Sequence, residues 1–114
     1  MQQVVWRELL AFEILGMAGG ILDLPDVVEL ARQTVKKSRA DALGALSFLE
    51  AYLGERKETP DQDLKEALLG YAKRTSRRGL ATAALNVLVE TGAIHEGDAL
   101  DRIDTWKTEH WGSR

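Results

Sequence analysis

The sequence predicts an all-α domain of about six helices. Apolar residues recur at helical spacing along the chain, and nowhere do they alternate with polar residues as a half-buried strand would require. Proline, serine, threonine and glycine recur at positions typical of helix boundaries. The 114 residues are 45% hydrophobic and 29% charged, which is the composition of a soluble globular chain. Residues 1–114 are therefore expected to form a single domain.

Boundary residues divide the chain into six predicted helices. They run from about Gln3 to Met17, from Asp23 or Leu24 to Lys37, from Ser38 to Leu53, from Pro60 to Thr75, from Ser76 to Gly92, and from Glu96 to Glu109. Ser38 and Ser76 are the predicted N-caps of the third and fifth helices, and Gly54 and Gly92 are the predicted left-handed residues that end them. The segment Thr59-Pro60-Asp61-Gln62 has the pattern of a capping box, with Thr59 as the cap.

The fifth predicted helix is apolar over most of its circumference. Its polar residues, Thr82, Asn86 and Glu90, are spaced by four and form one narrow line. Such a helix must be covered on several sides, so we expect it at the centre of the packing. More generally, the first, third and fifth helices carry few charges, so they should be more buried than the second, fourth and sixth.

The pattern of boundary residues repeats along the sequence. Pro25 and Pro60 are 35 residues apart, and Ser38 and Ser76 are 38 apart. A period of this length built from helix pairs resembles the HEAT-type or armadillo-type helical repeats. The resemblance covers most of the chain and implies three stacked antiparallel helix hairpins forming a short solenoid. A compact six-helix bundle is the alternative.

Composition and spacing exclude several functional classes. The absence of cysteine rules out disulfides and thiolate chemistry. Charged residues interrupt the amino-terminal apolar run before it resembles a signal peptide, and the longest uncharged stretches, 14–22 and 79–89, are too short to cross a bilayer. We therefore expect a cytoplasmic protein without membrane contact.

No recognisable catalytic or ligand-binding pattern is present either. His95 and His110 lie 15 residues apart without a metal-ligand spacing, and no nucleophile elbow, phosphate loop or dinucleotide fingerprint occurs. We expect no enzyme activity, metal, cofactor or small-molecule substrate. A catalytic domain remains a distant third hypothesis.

Basic residues concentrate at two turns. Seven of the fifteen Lys and Arg residues flank the turn between the second and third predicted helices or the turn between the fourth and fifth. If the hairpins stack in register, these turns share one edge, with acids such as Asp61 and Asp63 at the opposite edge. The predicted binding residues of this basic edge are Lys36, Lys37, Arg39, Lys73, Arg74, Ser76, Arg77 and Arg78.

An explanation that requires no binding function is charge matching with helix dipoles, which favours cations at helix carboxyl ends. That explanation does not cover Arg39, Arg77 and Arg78, which lie near predicted amino ends. A helix amino end with a serine hydroxyl and adjacent guanidinium groups is suited to an anion. The edge is therefore a hypothetical site for a phosphate, a nucleic-acid backbone or an acidic protein surface.

The three tryptophans lie near the chain ends. Trp6 and Trp106 are expected to fill the terminal layers of the core. Trp111 is a candidate interface aromatic, or it folds back onto Trp106. Together with the charge distribution, these residues favour a non-enzymatic protein-interaction module or a small helical subunit of a larger assembly. The alternative is a nucleic-acid-binding accessory protein that uses the basic edge.

Overall fold

The computed structural model describes residues 24–38 and 42–112, and within them the fold is all-helical without a strand. Five helices follow one another in chain order: α1 Pro25–Lys36, α2 Ala42–Arg56, α3 Gln62–Arg74, α4 Arg78–Glu90 and α5 Glu96–Trp111. They correspond to the second to sixth predicted helices, so the all-α class is confirmed. The first predicted helix, Trp6 and Arg39 lie outside the described residues.

Helix α4 lies at the centre of these elements, as its apolar sequence predicts. It packs against α2, α3 and α5, whereas α1 packs against α2 and α3. Its buried side chains are Ala81, Ala84, Leu85, Val87 and Leu88. The predicted polar line, Thr82, Asn86 and Glu90, is exposed along its whole length. The spacing of polar residues thus correctly indicates a strip of α4 that the other described helices leave uncovered.

The other helices follow the predicted division into buried and amphipathic types. Helix α2 is largely buried, with Phe48 and Leu49 fully enclosed. The charged helix α5 buries only Trp106 among its sixteen residues.

Helix α3 begins at a different residue from the one predicted. Its N-cap is Asp61, whose carboxylate accepts a hydrogen bond from the Leu64 backbone N–H at 2.8 Å. The prediction that Thr59 caps a helix starting at Pro60 is therefore wrong. Aspartate is as good a cap as threonine, and the later start brings the Asp61 carboxylate to a position where it also contacts α1.

Helix α2 also ends beyond its predicted terminator. Gly54 lies within the helix, and Lys57 adopts the left-handed backbone at φ 54°. The Lys57 N–H then bonds to the Gly54 carbonyl and the Glu58 N–H to the Leu53 carbonyl, the paired bonds of a Schellman motif. At the end of α4, by contrast, Gly92 has φ 77° and terminates the helix as predicted.

Candidate functional site

The side chain of Arg74 joins the two turns that the sequence predicts to share an edge. Its Nη2 group leaves α3 and reaches the carboxyl end of α1, where it lies 3.5 Å from the Val35 carbonyl oxygen and 3.4 Å from that of Lys36. It also lies 3.3 Å from Ser38 Oγ. A cation at this place stabilises the last carbonyl groups and the negative end of the α1 dipole. The two turns are therefore neighbours in space.

The path of Arg74 depends on Gly70, one helical turn earlier on α3. A Cβ atom at position 70 would stand 2.8 Å from Arg74 Nη1, closer than real Cβ contacts. The absence of a side chain at Gly70 thus provides the space through which the guanidinium crosses towards α1. Sequence reasoning missed this role, although the spacing of four between the two residues is its visible signal.

Ser38 lies just past the carboxyl end of α1. Its backbone is left-handed, with φ 52°, and its N–H bonds to the Val35 carbonyl at 3.1 Å, which is the geometry of a residue that follows a helix end. Its hydroxyl faces Arg74. The predicted N-cap role of Ser38 stays a prediction, because residues 39–41, which separate it from α2, lie outside the described residues.

Ser76 is not the N-cap of α4, contrary to the prediction. The N-cap of α4 is Arg77, which forms no side-chain capping bond, and the Arg77 N–H donates to Thr75 Oγ1 at 3.4 Å. Ser76 is exposed, and it lines a shallow groove of about 390 Å³ together with other residues of the two turns. The groove is lined by Ser38, Tyr71, Arg74, Thr75, Ser76, Arg77 and Leu80. Tyr71, Thr75 and Leu80 are additional members that sequence reasoning did not identify.

Lys36 differs from the other described cations of the basic edge because it forms an ion pair with an acid. Its Nζ lies 2.8 Å from Asp63 Oδ2, and Asp63 also bonds to Arg32. The prediction that Asp63 belongs to an opposite, acidic edge is therefore wrong at this point. Lys36 and Arg32, in that order, hold the pKa of Asp63 below its ordinary value.

Five further cations of the basic edge lie in the part of the chain that the structure describes, and they lack such partners there. No carboxylate of residues 24–38 and 42–112 forms an ion pair with these five cations. They are Lys37, Lys73, Arg74, Arg77 and Arg78, and all are exposed. An uncompensated cluster of this kind produces a local positive potential in a chain whose net charge is -3.

The aromatic end of α5 adjoins the basic edge. Trp111 packs edge-on against Trp106, with ring centroids 5.2 Å apart, and remains 52% exposed. The guanidinium carbon of Arg78 lies 5.9 Å from the centroid of the Trp111 ring, within cation–π range. Trp106 Nε1 in turn donates to the Thr75 carbonyl at 2.8 Å. Trp111 therefore both folds back onto Trp106 and presents an exposed ring beside a cation.

Among residues 24–38 and 42–112, no group of three or more potential metal ligands comes together, and no helix has the length and apolar composition to cross a membrane. Comparison of the chain with protein-family models, curated proteins and solved structures finds no match. The resemblance to HEAT-type or armadillo-type repeats therefore stays a prediction.

Proposed function

We propose that the chain is a non-enzymatic helical-repeat module that binds an acidic segment of a partner protein through its basic edge. In this proposal, α1 with α2 and α3 with α4 are stacked antiparallel hairpins, and α5 begins a third. The packing of α1 against α3 and of α2 against α4 supports that arrangement, because stacked hairpins place equivalent helices side by side.

The observation that carries the proposed function is the set of five exposed cations without a described carboxylate partner. Outside the edge, Arg32, Arg56 and Arg102 form ion pairs with nearby acids, whereas no ion pair joins Lys57, Lys65 or Lys107 to a described carboxylate. Guanidinium groups favour planar carboxylates, with which they form charge-assisted and often bidentate hydrogen bonds. The cations extend over the ends of three helices rather than converging on one point, which favours an extended acidic chain over a single small anion.

Binding of a fluorescent peptide rich in glutamate and aspartate tests the proposal. Arg77→Glu with Arg78→Glu should weaken binding strongly at low salt, because two attractive charges become repulsive. The matched control is Lys65→Glu with Lys107→Glu, which makes the same change in net charge outside the basic edge. Helical circular dichroism should be the same for both variants. Equal loss of binding in the two variants, or binding unchanged by the first, would contradict the proposal.

Nucleic-acid binding is the second candidate, and the contact between Arg78 and Trp111 favours it. An exposed indole ring beside a guanidinium can stack on an unpaired base, which contributes about 1–3 kcal/mol in single-strand binding. Electrophoretic shifts with single-stranded RNA and duplex DNA, compared with the acidic peptide, distinguish the two candidates. A steep salt dependence and a loss of affinity in Trp111→Ala for RNA alone would favour nucleic acid.

A further inference from the structure

A second groove lies between α4 and α5 and involves no residue of the basic edge. It measures about 320 Å³. Buried Leu85 forms part of its lining, and half-buried Val89 and Ile103 also line it. Leu100 lines it too, although 61% of that residue is exposed, the largest exposed fraction among the large apolar residues described. Apolar surface exposed beside a concave apolar lining is typical of a contact site.

The polar line of α4 follows this groove. Thr82, Asn86 and Glu90 all line it, although α4 is covered by other helices on its remaining sides. Asn86 Nδ2 lies 3.4 Å from Glu50 Oε1, so the surface continues from α4 onto α2. The groove thus lies on a face of the central helix that the other described helices leave uncovered.

The charges around the groove have one sign. Glu90 and Glu96 line it and Glu50 adjoins it, while no lysine or arginine is among the lining residues. None of these three carboxylates forms an ion pair with a described cation. An apolar groove with a negative rim is complementary to a partner that has apolar residues flanked by cations.

We infer that this groove docks a basic amphipathic helix of a partner protein. A helix presents apolar residues at positions i, i+3, i+4 and i+7 along one stripe, and long lysine or arginine side chains beside the stripe reach the rim. Leu100 would be covered by that stripe, and the cations would pair with Glu90 and Glu96. A second copy of α5 is a poorer occupant, because its exposed Asp101 and Asp104 would add carboxylates to an already negative surface.

The test uses three labelled peptides and fluorescence anisotropy. The first is a lysine–leucine peptide with leucine at amphipathic helical spacing, the second has the same composition in scrambled order, and the third replaces lysine with glutamate. The wild-type chain should bind the first peptide and prefer it clearly over the other two. Leu100→Asp should weaken this binding about tenfold or more, since it replaces an apolar contact with a charge.

Leu30→Asp is the matched control, because Leu30 is 52% exposed on α1 and does not line the groove. It should leave binding unchanged, as should Arg77→Glu with Arg78→Glu, which separates this inference from the proposed function. Glu90→Lys with Glu96→Lys should shift the preference towards the glutamate–leucine peptide. Circular dichroism checks each fold, and Leu100→Ser replaces Leu100→Asp if the latter loses helicity.

Three results of the peptide measurements would overturn the inference. They are equal binding of the amphipathic and scrambled peptides, an equal effect of Leu30→Asp and Leu100→Asp, and no binding of the amphipathic peptide by the wild-type chain. Self-association in sedimentation velocity that is lost in Leu100→Asp would also overturn it, because the occupant would then be a second copy.

Discussion

Arg32 on α1 and Asp61 at the start of α3 form a bidentate ion pair. Nη1 and Nη2 of Arg32 each lie 2.9 Å from a different carboxylate oxygen of Asp61. The Arg32 side chain is only 15% exposed whereas that of Asp61 is 59% exposed, so water screens the pair from the Asp61 side. The Asp61 carboxylate also accepts the Leu64 N–H. One residue thus begins α3 and fixes α1 against it.

Replacement of Asp61 should separate its two roles. Asp61→Ala removes both the cap and the ion pair, and we expect it to lower the free energy of unfolding by about 1–2 kcal/mol. Asp61→Asn retains a good capping group but loses the charge, so its stability should lie between those of Asp61→Ala and the wild type. Urea unfolding at neutral pH measures the three values. Equal stability of Asp61→Asn and Asp61→Ala would contradict the capping role.

Acid should remove the stabilisation that Asp61 provides. Its bonds to Arg32, followed by the bond from the Leu64 N–H, lower the pKa of Asp61 from 3.8 to about 2. A carboxyl group whose pKa is lower in the folded state binds fewer protons there, so its stabilisation is complete above about pH 4 and is lost as the pH falls towards about 2. The pKa of Asp63 is likewise lowered, by its bonds to Lys36 and Arg32. The urea midpoint of the wild type should fall over this range more steeply than that of Asp61→Asn. Parallel pH profiles would count against the predicted linkage.

A double-mutant cycle measures the coupling free energy between Gly70 and Arg74. A glycine-to-alanine change inside a helix normally raises stability by up to about 1 kcal/mol. In the wild type, Gly70→Ala should raise the free energy of unfolding by less than this, because the new Cβ displaces the Arg74 guanidinium from the end of α1. In an Arg74→Ala background, Gly70→Ala should raise the free energy of unfolding by the full amount. Gly54→Ala is the control, since a Cβ there meets no atom within 4 Å. Strict additivity of Gly70→Ala and Arg74→Ala would show that the two positions are not coupled.

Substitutions at two left-handed residues that end helices, Lys57 and Gly92, should change stability in opposite directions. Lys57 has φ 54°, a conformation that disfavours side chains, so Lys57→Gly should leave stability unchanged or raise it by up to about 1 kcal/mol. Gly92 has φ 77°, so Gly92→Ala should lower the free energy of unfolding by about 1 kcal/mol. Thermal unfolding of both variants provides the comparison. Destabilisation by Lys57→Gly would contradict the assigned termination of α2.

The amino-acid sequence by itself determined the helical class, the central position of α4 and the exposed line Thr82, Asn86 and Glu90. It also determined the helix end at Gly92. These features depend on residues within one or two helical turns of one another, where spacing fixes which side chains share a face. The concentration of basic residues at two turns is likewise evident from the sequence alone.

Tertiary structure decided which of several adequate boundary residues is used and which charges meet. Thr59 and Asp61 can both cap a helix, and Asp61 is the one that also reaches Arg32 on α1. Lys36 is paired because it lies beside the Asp63 carboxylate on α3, whereas Arg77 has no carboxylate partner among the described residues. Contacts between side chains far apart in sequence depend on how the helices pack, and local spacing carries no information about that packing.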